Sequence, residues 1–379
     1  MKLFLLKHGF VQQDKSLMKS FLSTVKKKQR LNKHETFAEP LNNNSNDNSV
    51  ISSYTRTFPA TLLVEDIDII TNGMYVITEK SNGIRCTVYI DIDALFNTSI
   101  YVITRKQDNM FVLNNVYKMN DFGNMKKDIK GLTILDCEFL EDLSHTGQGY
   151  FLMFDTPHSK NNQFVSLLKY EDRMNSCKEL LDLLLQFNPN LPHIKMKRVY
   201  KPNEFEILLN HITNDEYKDG MLHNKNDGLL FTHSKYPHPA LVQDTKEEST
   251  LEKMLMKVYY KWKKPEHQTV DFELQITRCE MLENNLQNCI IRYSLNSQVF
   301  FTCPLKYKQE TYPGEDKDLF PCVMECRLDT KTFRPILTGS KPRKDKKSGN
   351  APQTYTTIVQ AISNPVYLSV LREKFKKFI

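Results

Sequence analysis

The chain reads as an α+β protein built largely from antiparallel sheet, in two domains with a helical segment at the end. Three observations carry that reading. Short runs rich in Val, Ile, Leu, Tyr and Phe, separated by polar breaks, recur over residues 74–79, 84–92, 99–104, 132–140 and 150–155, which is the length and composition of strands. Helical spacing does not alternate regularly with these runs, which argues against a doubly wound parallel sheet. At 379 residues the chain suits two domains better than one.

Taken in order, residues 1–40 are basic and helical in pattern, with nine Lys/Arg against three Asp/Glu, including Lys26, Lys27, Lys28 and Arg30. Residues 41–49 (Leu-Asn-Asn-Asn-Ser-Asn-Asp-Asn-Ser) are polar and of low complexity, the composition of a linker that buries no core. Residues 1–53 are therefore expected to form a basic, partly flexible extension. The first folded domain is expected over 54–266, with helices at 168–187 and, after Pro202, at 203–213, and a return to strand at 228–232. A second β-rich block, 270–276, 289–295, 298–304 and 322–328, fits a barrel or a sandwich over residues 267–350. Residues 351–379 are helical in pattern, interrupted by Pro365, and are expected to pack back on the first domain.

Apolar content of 40% and charged content of 26% describe a soluble globular protein. No run approaches eighteen apolar residues, so no membrane partner is expected. The apolar start Leu3–Leu6 stops at Lys7, too short for a signal peptide, so an intracellular protein is expected. The eight cysteines form no C-x-x-C pair and read as reduced, buried thiols. The ten histidines form no H-E-x-x-H pattern. A net charge of +7, concentrated near Lys26 and in a second cluster at Lys341, Arg343, Lys344, Lys346 and Lys347, points to a polyanionic partner.

The most informative stretch is Glu79-Lys80-Ser81-Asn82-Gly83-Ile84-Arg85. A lysine ends an apolar strand, a glycine allows a tight turn close to a ligand, and an arginine offers a fork for oxyanions. Lysine attacks phosphorus or carbonyl carbon only as a neutral amine. Alone, K-x-x-G-x-R is also the pattern of an exposed hairpin. Five further segments add weight: Asp136-Cys137-Glu138 ending a strand; Phe154-Asp155, an aromatic and a carboxylate closing a strand; Asp227-Gly228 before a strand; Lys261-Trp262-Lys263 around the only tryptophan; and Arg343-Lys344-Asp345-Lys346. Together they hold the parts that phosphoryl transfer to lysine needs: a nucleophile, carboxylates, a base platform and cations for phosphates.

In that order and spacing the six segments resemble the motifs of mRNA capping enzyme guanylyltransferases, within the covalent nucleotidyltransferase superfamily shared with DNA and RNA ligases. The resemblance covers residues 54–350. The K-W-K form and the late R-x-D-K are similar to capping enzymes rather than to ligases. The resemblance implies an antiparallel-sheet nucleotidyltransferase domain with a C-terminal OB-fold domain. It implies that Lys80 attacks the α-phosphate of GTP, that pyrophosphate leaves, and that GMP passes from the lysine to a 5′-diphosphate RNA end. Arg85, Arg105 and Glu138 are implied as ribose or phosphate contacts, with Glu79 counted among the GTP-binding residues. Phe154 is implied as the surface under guanine, Lys197 as a contact to its edge, and Lys261 and Lys263 as holding the α-phosphate. Arg343 and Lys346, oriented by Asp345, are implied as closing on the outer phosphates, and Asp227 as supporting Mg²⁺ or Mn²⁺. It further implies a separate RNA triphosphatase and the RNA polymerase II C-terminal tail as partners, and a nuclear location. Asn82 stands where the family has aspartate, and Cys137 where it has glycine. An ATP-dependent polynucleotide ligase and a catalytically silent module that binds RNA ends or a polymerase tail are the alternatives.

Overall fold

A computed structural model describes residues 1–34, 59–93, 97–104, 109–114, 131–141, 149–159, 168–178, 180–182, 194–213, 226–236, 259–281, 286–295, 298–308, 322–343, 346 and 348–379. They divide into two compact units, 1–60 with 69–261 and 374–379, and 61–68 with 262–373. Among the described residues no helix is long and apolar enough to cross a membrane.

The first unit holds a seven-stranded sheet in the order β1-β6-β5-β4-β7-β8-β9. Its strands are β1 (Val11–Gln13), β4 (Ile84–Ile92), β5 (Thr98–Thr104), β6 (Met110–Leu113), β7 (Gly131–Glu141), β8 (Gly149–Ser159) and β9 (Ile194–Met196). Neighbouring strands in this sheet run antiparallel except β8 and β9, which are parallel. Strand alternation sends Cys86, Val88 and Ile90 into one core with Leu135, Cys137, Phe139, Phe151 and Met153. The opposite face, including Tyr89, Ile103, Met110 and Ile134, is covered by helix α2 (Lys15–His34) through Met18, Phe21, Leu22 and Val25, which is one stripe of a helix. Asp14 caps that helix, its Oδ1 accepting the amides of Ser16 at 2.8 Å and Leu17 at 2.9 Å. Residues 1–34, read from sequence as an appendage, lie in this unit. Phe4 and Leu5 of α1 (Lys2–Lys7) and Phe10 are in the main core, and β1 pairs with β6.

A four-stranded sheet has the order β2-β11-β10-β3, from β2 (Ala60–Thr61), β3 (Tyr75–Glu79), β10 (Leu229–His233) and β11 (Tyr259–Trp262). Helix α3 (Ile67–Ile70) precedes β3, α4 (Tyr170–Asn175) follows β8, and α5 (Phe205–Thr213) follows β9. The last residues belong here too: Phe375 stacks on Phe205 at 4.5 Å and on Phe231 at 6.1 Å.

The second unit corrects the expectation of an OB fold. Its strands, β12 (Thr269–Met281), β13 (Leu286–Leu295), β14 (Gln298–Lys308), β15 (Cys322–Leu328) and β16 (Pro335–Pro342), form an open antiparallel sheet ordered β14-β13-β12-β15-β16. Closing a sheet requires its two edges to pair. Here β14 and β16 are the edges at opposite ends, and no sheet among the described residues closes into a barrel. The long β12 serves two neighbours, β15 along Thr269–Leu274 and β13 along Glu273–Met281, with an irregularity between Ile276 and Arg278. One face is buried by helix α6 (Pro352–Ser363), whose Ile358 and Ile362 lie on Val270, Phe272, Leu274 and Met324. The helix covers the apolar face that closure would have hidden. The parallel β8–β9 pair makes the first unit's sheet mixed, within a largely antiparallel arrangement. Helix α7 (Leu368–Phe375) follows α6.

Cys86, Cys137, Cys177, Cys322 and Cys326 are free thiols. Burial pushes Cys177 and Cys322 up to about 11 and Cys326 up to about 12.

Candidate active site

The stretch Lys80–Gly83 carries the chain from β3 in the four-stranded sheet to β4 in the seven-stranded one. Residue types explain the course. Tyr75–Glu79 is buried throughout, so the polar residues that follow mark the point where the strand leaves the core. The β3–β10 ladder pairs Glu79 with Leu229 and extends one step further. Lys80 N–H donates to Gly228 O at 2.8 Å, and Asp227 N–H donates to Lys80 O at 2.8 Å. Gly228 has φ +126°, a conformation glycine adopts without strain. That ladder step places the two side chains together: Lys80 Nζ lies 2.5 Å from Asp227 Oδ2, each about one-fifth exposed.

Gly83 is where the chain enters β4 against β7. Its N–H donates to Glu138 Oε1 at 2.9 Å. A Cβ there would stand 2.5 Å from Phe139 O and 2.5 Å from Leu140 Cδ2, so only glycine fits. Arg85 then faces Glu138 across the β4–β7 pair, lies 3.5 Å from Asp136 Oδ2, and sets its guanidinium 5.2 Å from the centre of the Phe154 ring.

Glu79 and Lys197 form the buried side of the site, beside the half-buried Glu138. Burial raises the Glu79 carboxyl above its ordinary value, against the pull of Lys197 and a hydrogen bond from Ser81 Oγ at 3.0 Å. Burial lowers the Lys197 ammonium, against Glu138 and then Glu79, while Lys80 adds a like charge. Lys197 is 4% exposed; its place follows from its N–H, which donates to Met153 O at 2.8 Å.

Phe154 reaches the site through an irregularity in β8. The ladder pairs Asp136 with Asp155 and Cys137 with Met153, leaving Phe154 as an extra residue between them. Its ring is partly exposed while Met153 and Asp155 on either side are buried. Asp155, which sequence reading placed at a strand end, lies inside β8 and is 2% exposed. It is held by Arg173, with Nε to Oδ1 at 2.8 Å and Nη2 to Oδ2 at 2.9 Å, and by the Tyr259 hydroxyl at 3.1 Å. Sequence reading missed Arg173, Tyr170 and Tyr259. The only signal was a lone arginine in a helical run, which reads as surface.

Lys261 lies on β11 in the first unit. The strand ends at Trp262, so Lys263 falls outside it, in the second unit. Trp262 is buried and donates its Nε1–H to Val366 O at 2.6 Å. Arg343 and Lys346 belong to the second unit, where both pair with Asp271: Arg343 Nη1 lies 3.2 Å from Asp271 Oδ1 and 3.3 Å from Glu325 Oε2, and Lys346 Nζ contacts Asp271 Oδ2. Arg105 and Asp345 lie outside the described residues. The structure thus gathers Lys80, Asp227, Glu79, Glu138, Arg85, Phe154 and Lys197 in one unit. No cluster of three or more His, Cys, Asp or Glu able to hold a metal occurs among the described residues.

A family model described as "mRNA capping enzyme, catalytic domain" matches residues 22–246, more than half of the chain. The mRNA-capping enzyme subunit alpha of Schizosaccharomyces pombe is 24% identical over 316 residues, covering 77% of this chain and 72% of that protein. The mRNA-capping enzyme subunit alpha of Neurospora crassa is 25% identical over 338 residues, covering 77% of each. Among solved structures, the ATP-dependent DNA ligase from bacteriophage T7 in complex with ATP is similar at 12% identity with a TM-score of 0.35, over 74% of this chain and 97% of that one.

Proposed function

From the premise that the chain belongs to the mRNA capping enzyme catalytic-domain family, within the covalent nucleotidyltransferase superfamily, we propose that it is a GTP:RNA guanylyltransferase. The observation that carries the reading is the Lys80–Asp227 pair at 2.5 Å, at the crossover where Gly83, Arg85 and Glu138 also meet. In the first step the Lys80 amine attacks the α-phosphorus of GTP. A P–N bond forms, the α–β P–O bond breaks, and pyrophosphate leaves. Attack requires the neutral amine, and Asp227 is within reach to accept the proton. In the second step a terminal phosphate oxygen of a 5′-diphosphate RNA attacks the same phosphorus. The P–N bond breaks, and the lysine is returned with a GpppN end on the RNA.

Arg85 and Glu138 are the ribose-side contacts in this reading, and Phe154 offers its partly exposed ring to the base. Lys197 faces the guanine edge, Glu79 its counter-charge. By the same resemblance, Lys261 and Lys263 serve the α-phosphate, and Arg343 and Lys346 the outer phosphates. Mg²⁺ commonly sits on one or two carboxylates completed by phosphate oxygens and water. Asp227, a carboxylate about one-fifth exposed beside Lys80, could take part in such a site. The metal, Mg²⁺ or Mn²⁺, would neutralise charge building on the phosphates. A separate triphosphatase would supply the diphosphate end, and a nuclear location follows from the activity.

The test is incubation of the full chain with GTP or ATP labelled at the α-phosphate, with either metal. The expected result is covalent label from GTP only. Label from ATP only would show a ligase-type enzyme, and no label from either nucleotide with either metal would show a silent binding module.

A further inference from the structure

We propose that Tyr170 and Arg173 are positioning residues that set the Phe154 ring at the angle the nucleotide base needs, an inference that rests on the guanylyltransferase reading above. A bulge re-aims a side chain but removes ladder bonds at the extra residue, so the extra residue needs another anchor. At Phe154 the anchors lie on both sides of the peptide. The Tyr170 hydroxyl donates to Phe154 O at 2.6 Å. The next residue, Asp155, receives both arms of the Arg173 fork.

Arg173 reaches further than one carboxylate. Its Nη1 donates to Leu168 O at 2.8 Å and to Tyr236 O at 2.9 Å. One guanidinium, 0% exposed, thereby fastens the bulge to the start of α4 and to the turn after β10. Its own charge lies 5.4 Å from the centre of the Tyr170 ring, so the two anchors brace each other. On the far side of the ladder, Asp136 stands opposite Asp155. Like charges directly opposite are unfavourable, and each carboxylate has its own arginine: Arg173 for Asp155, Arg85 for Asp136. Arg85 is also the group over the Phe154 ring. The ring is thus bracketed by two Arg–Asp pairs, one holding its backbone and one lying on its face.

A buried ion pair is a weak source of stability, since apolar residues of the same volume often replace it at no loss. What the pair supplies here is direction. The forked guanidinium fixes the plane of Asp155, and with it the peptide that carries Phe154.

The experiment measures KM for GTP and kcat of lysyl-GMP formation, with the Tm, in the full-length wild type, Tyr170→Phe, Phe154→Ala, the double variant and Arg173→Lys. Loss of one hydrogen bond should raise KM about three- to tenfold in Tyr170→Phe, with kcat and Tm little changed. In the Phe154→Ala background the same change should have no further effect on KM, because the ring it acts through is gone. Arg173→Lys keeps the charge but loses the fork, and should raise KM at least as much. An active wild type whose KM is unmoved by Tyr170→Phe overturns the inference. So does a Tyr170→Phe effect that adds in full to that of Phe154→Ala. A wild type that makes no adduct removes the underlying reading and this inference with it, a result distinct from the other two.

Discussion

Lys80 and Asp227 are joined twice, once by their side chains at 2.5 Å and once by the backbone, where Asp227 N–H donates to Lys80 O at 2.8 Å. The backbone bond does not depend on the lysine side chain. Lys80→Ala should therefore leave the fold intact, since a partly exposed ion pair contributes about 1 kcal/mol or less. Covalent label from GTP should vanish in that variant while its circular dichroism melt stays near the wild type's. An adduct that survives the substitution would disprove Lys80 as the nucleophile.

Gly83→Ala should be costly for a reason separate from chemistry. The new Cβ would meet the carbonyl oxygen of Phe139 at 2.5 Å, and a backbone atom in a central strand cannot swing away. Overpacking of this kind costs about 1–3 kcal/mol, and it also displaces the amide that Glu138 holds. A denaturant melt should show the loss, and a variant as stable as the wild type would mean that β4 and β7 separate more easily than their pairing indicates.

Arg173→Ala should be among the most destabilising single changes in the first unit. It leaves Asp155 charged, buried and without its guanidinium, a situation that costs about 3–5 kcal/mol. The Tm read by calorimetry should fall markedly, and the double variant Arg173→Ala with Asp155→Ala should recover part of the loss, because no lone charge then remains.

The buried pair at the site gives a pH signature. Burial raises the Glu79 carboxyl above 4.5. In the folded state it therefore keeps its proton to higher pH than in the unfolded chain. Its contribution to stability is fully present below 4.5 and is lost as the pH rises through the folded value. Lys197, lowered from 10.5, works in the opposite direction at the alkaline end, where stability rises as the pH climbs from its folded value toward 10.5. The Tm of the wild type, measured against that of Glu79→Gln, should fall as the pH is raised from 4.5 toward neutrality. A difference that widens in favour of the wild type would refute the direction of the Glu79 shift.

What the sequence made legible was local. Glu79 to Arg85 showed a strand end, a turn and a strand start, because apolar alternation and a glycine mark those points wherever they occur. The bulge at Phe154 was hidden. One surplus residue in β8 looks the same in sequence as a regular strand, and only the partner's register, Asp136 to Asp155 and Cys137 to Met153, exposes it. The open sheet of the second unit was hidden for a similar reason. Four apolar runs at turn-like spacing suit an open sheet or a barrel equally, since closure depends on which distant edges pair. Arg173 carried no mark at all, because a guanidinium that ties four groups in the interior is spelled like one that faces water. The place of Phe4, Leu5 and Phe10 in the core was likewise unreadable, for an apolar start of that length is too short to name its partner.

The pairing of β1 with β6 has a consequence for how copies of this chain behave toward one another. Val11, Gln12 and Gln13 occupy the hydrogen-bonding side of Val112, Phe111 and Met110. A chain shortened to remove everything before Ala60 would leave those β6 amides and carbonyls bare, and it would also uncover the apolar face that α2 shields. An unpaired strand edge is a template for another strand. The shortened protein should then self-associate in light scattering at concentrations where the full chain stays monodisperse, so the first residues act as a guard against the molecule's own neighbours.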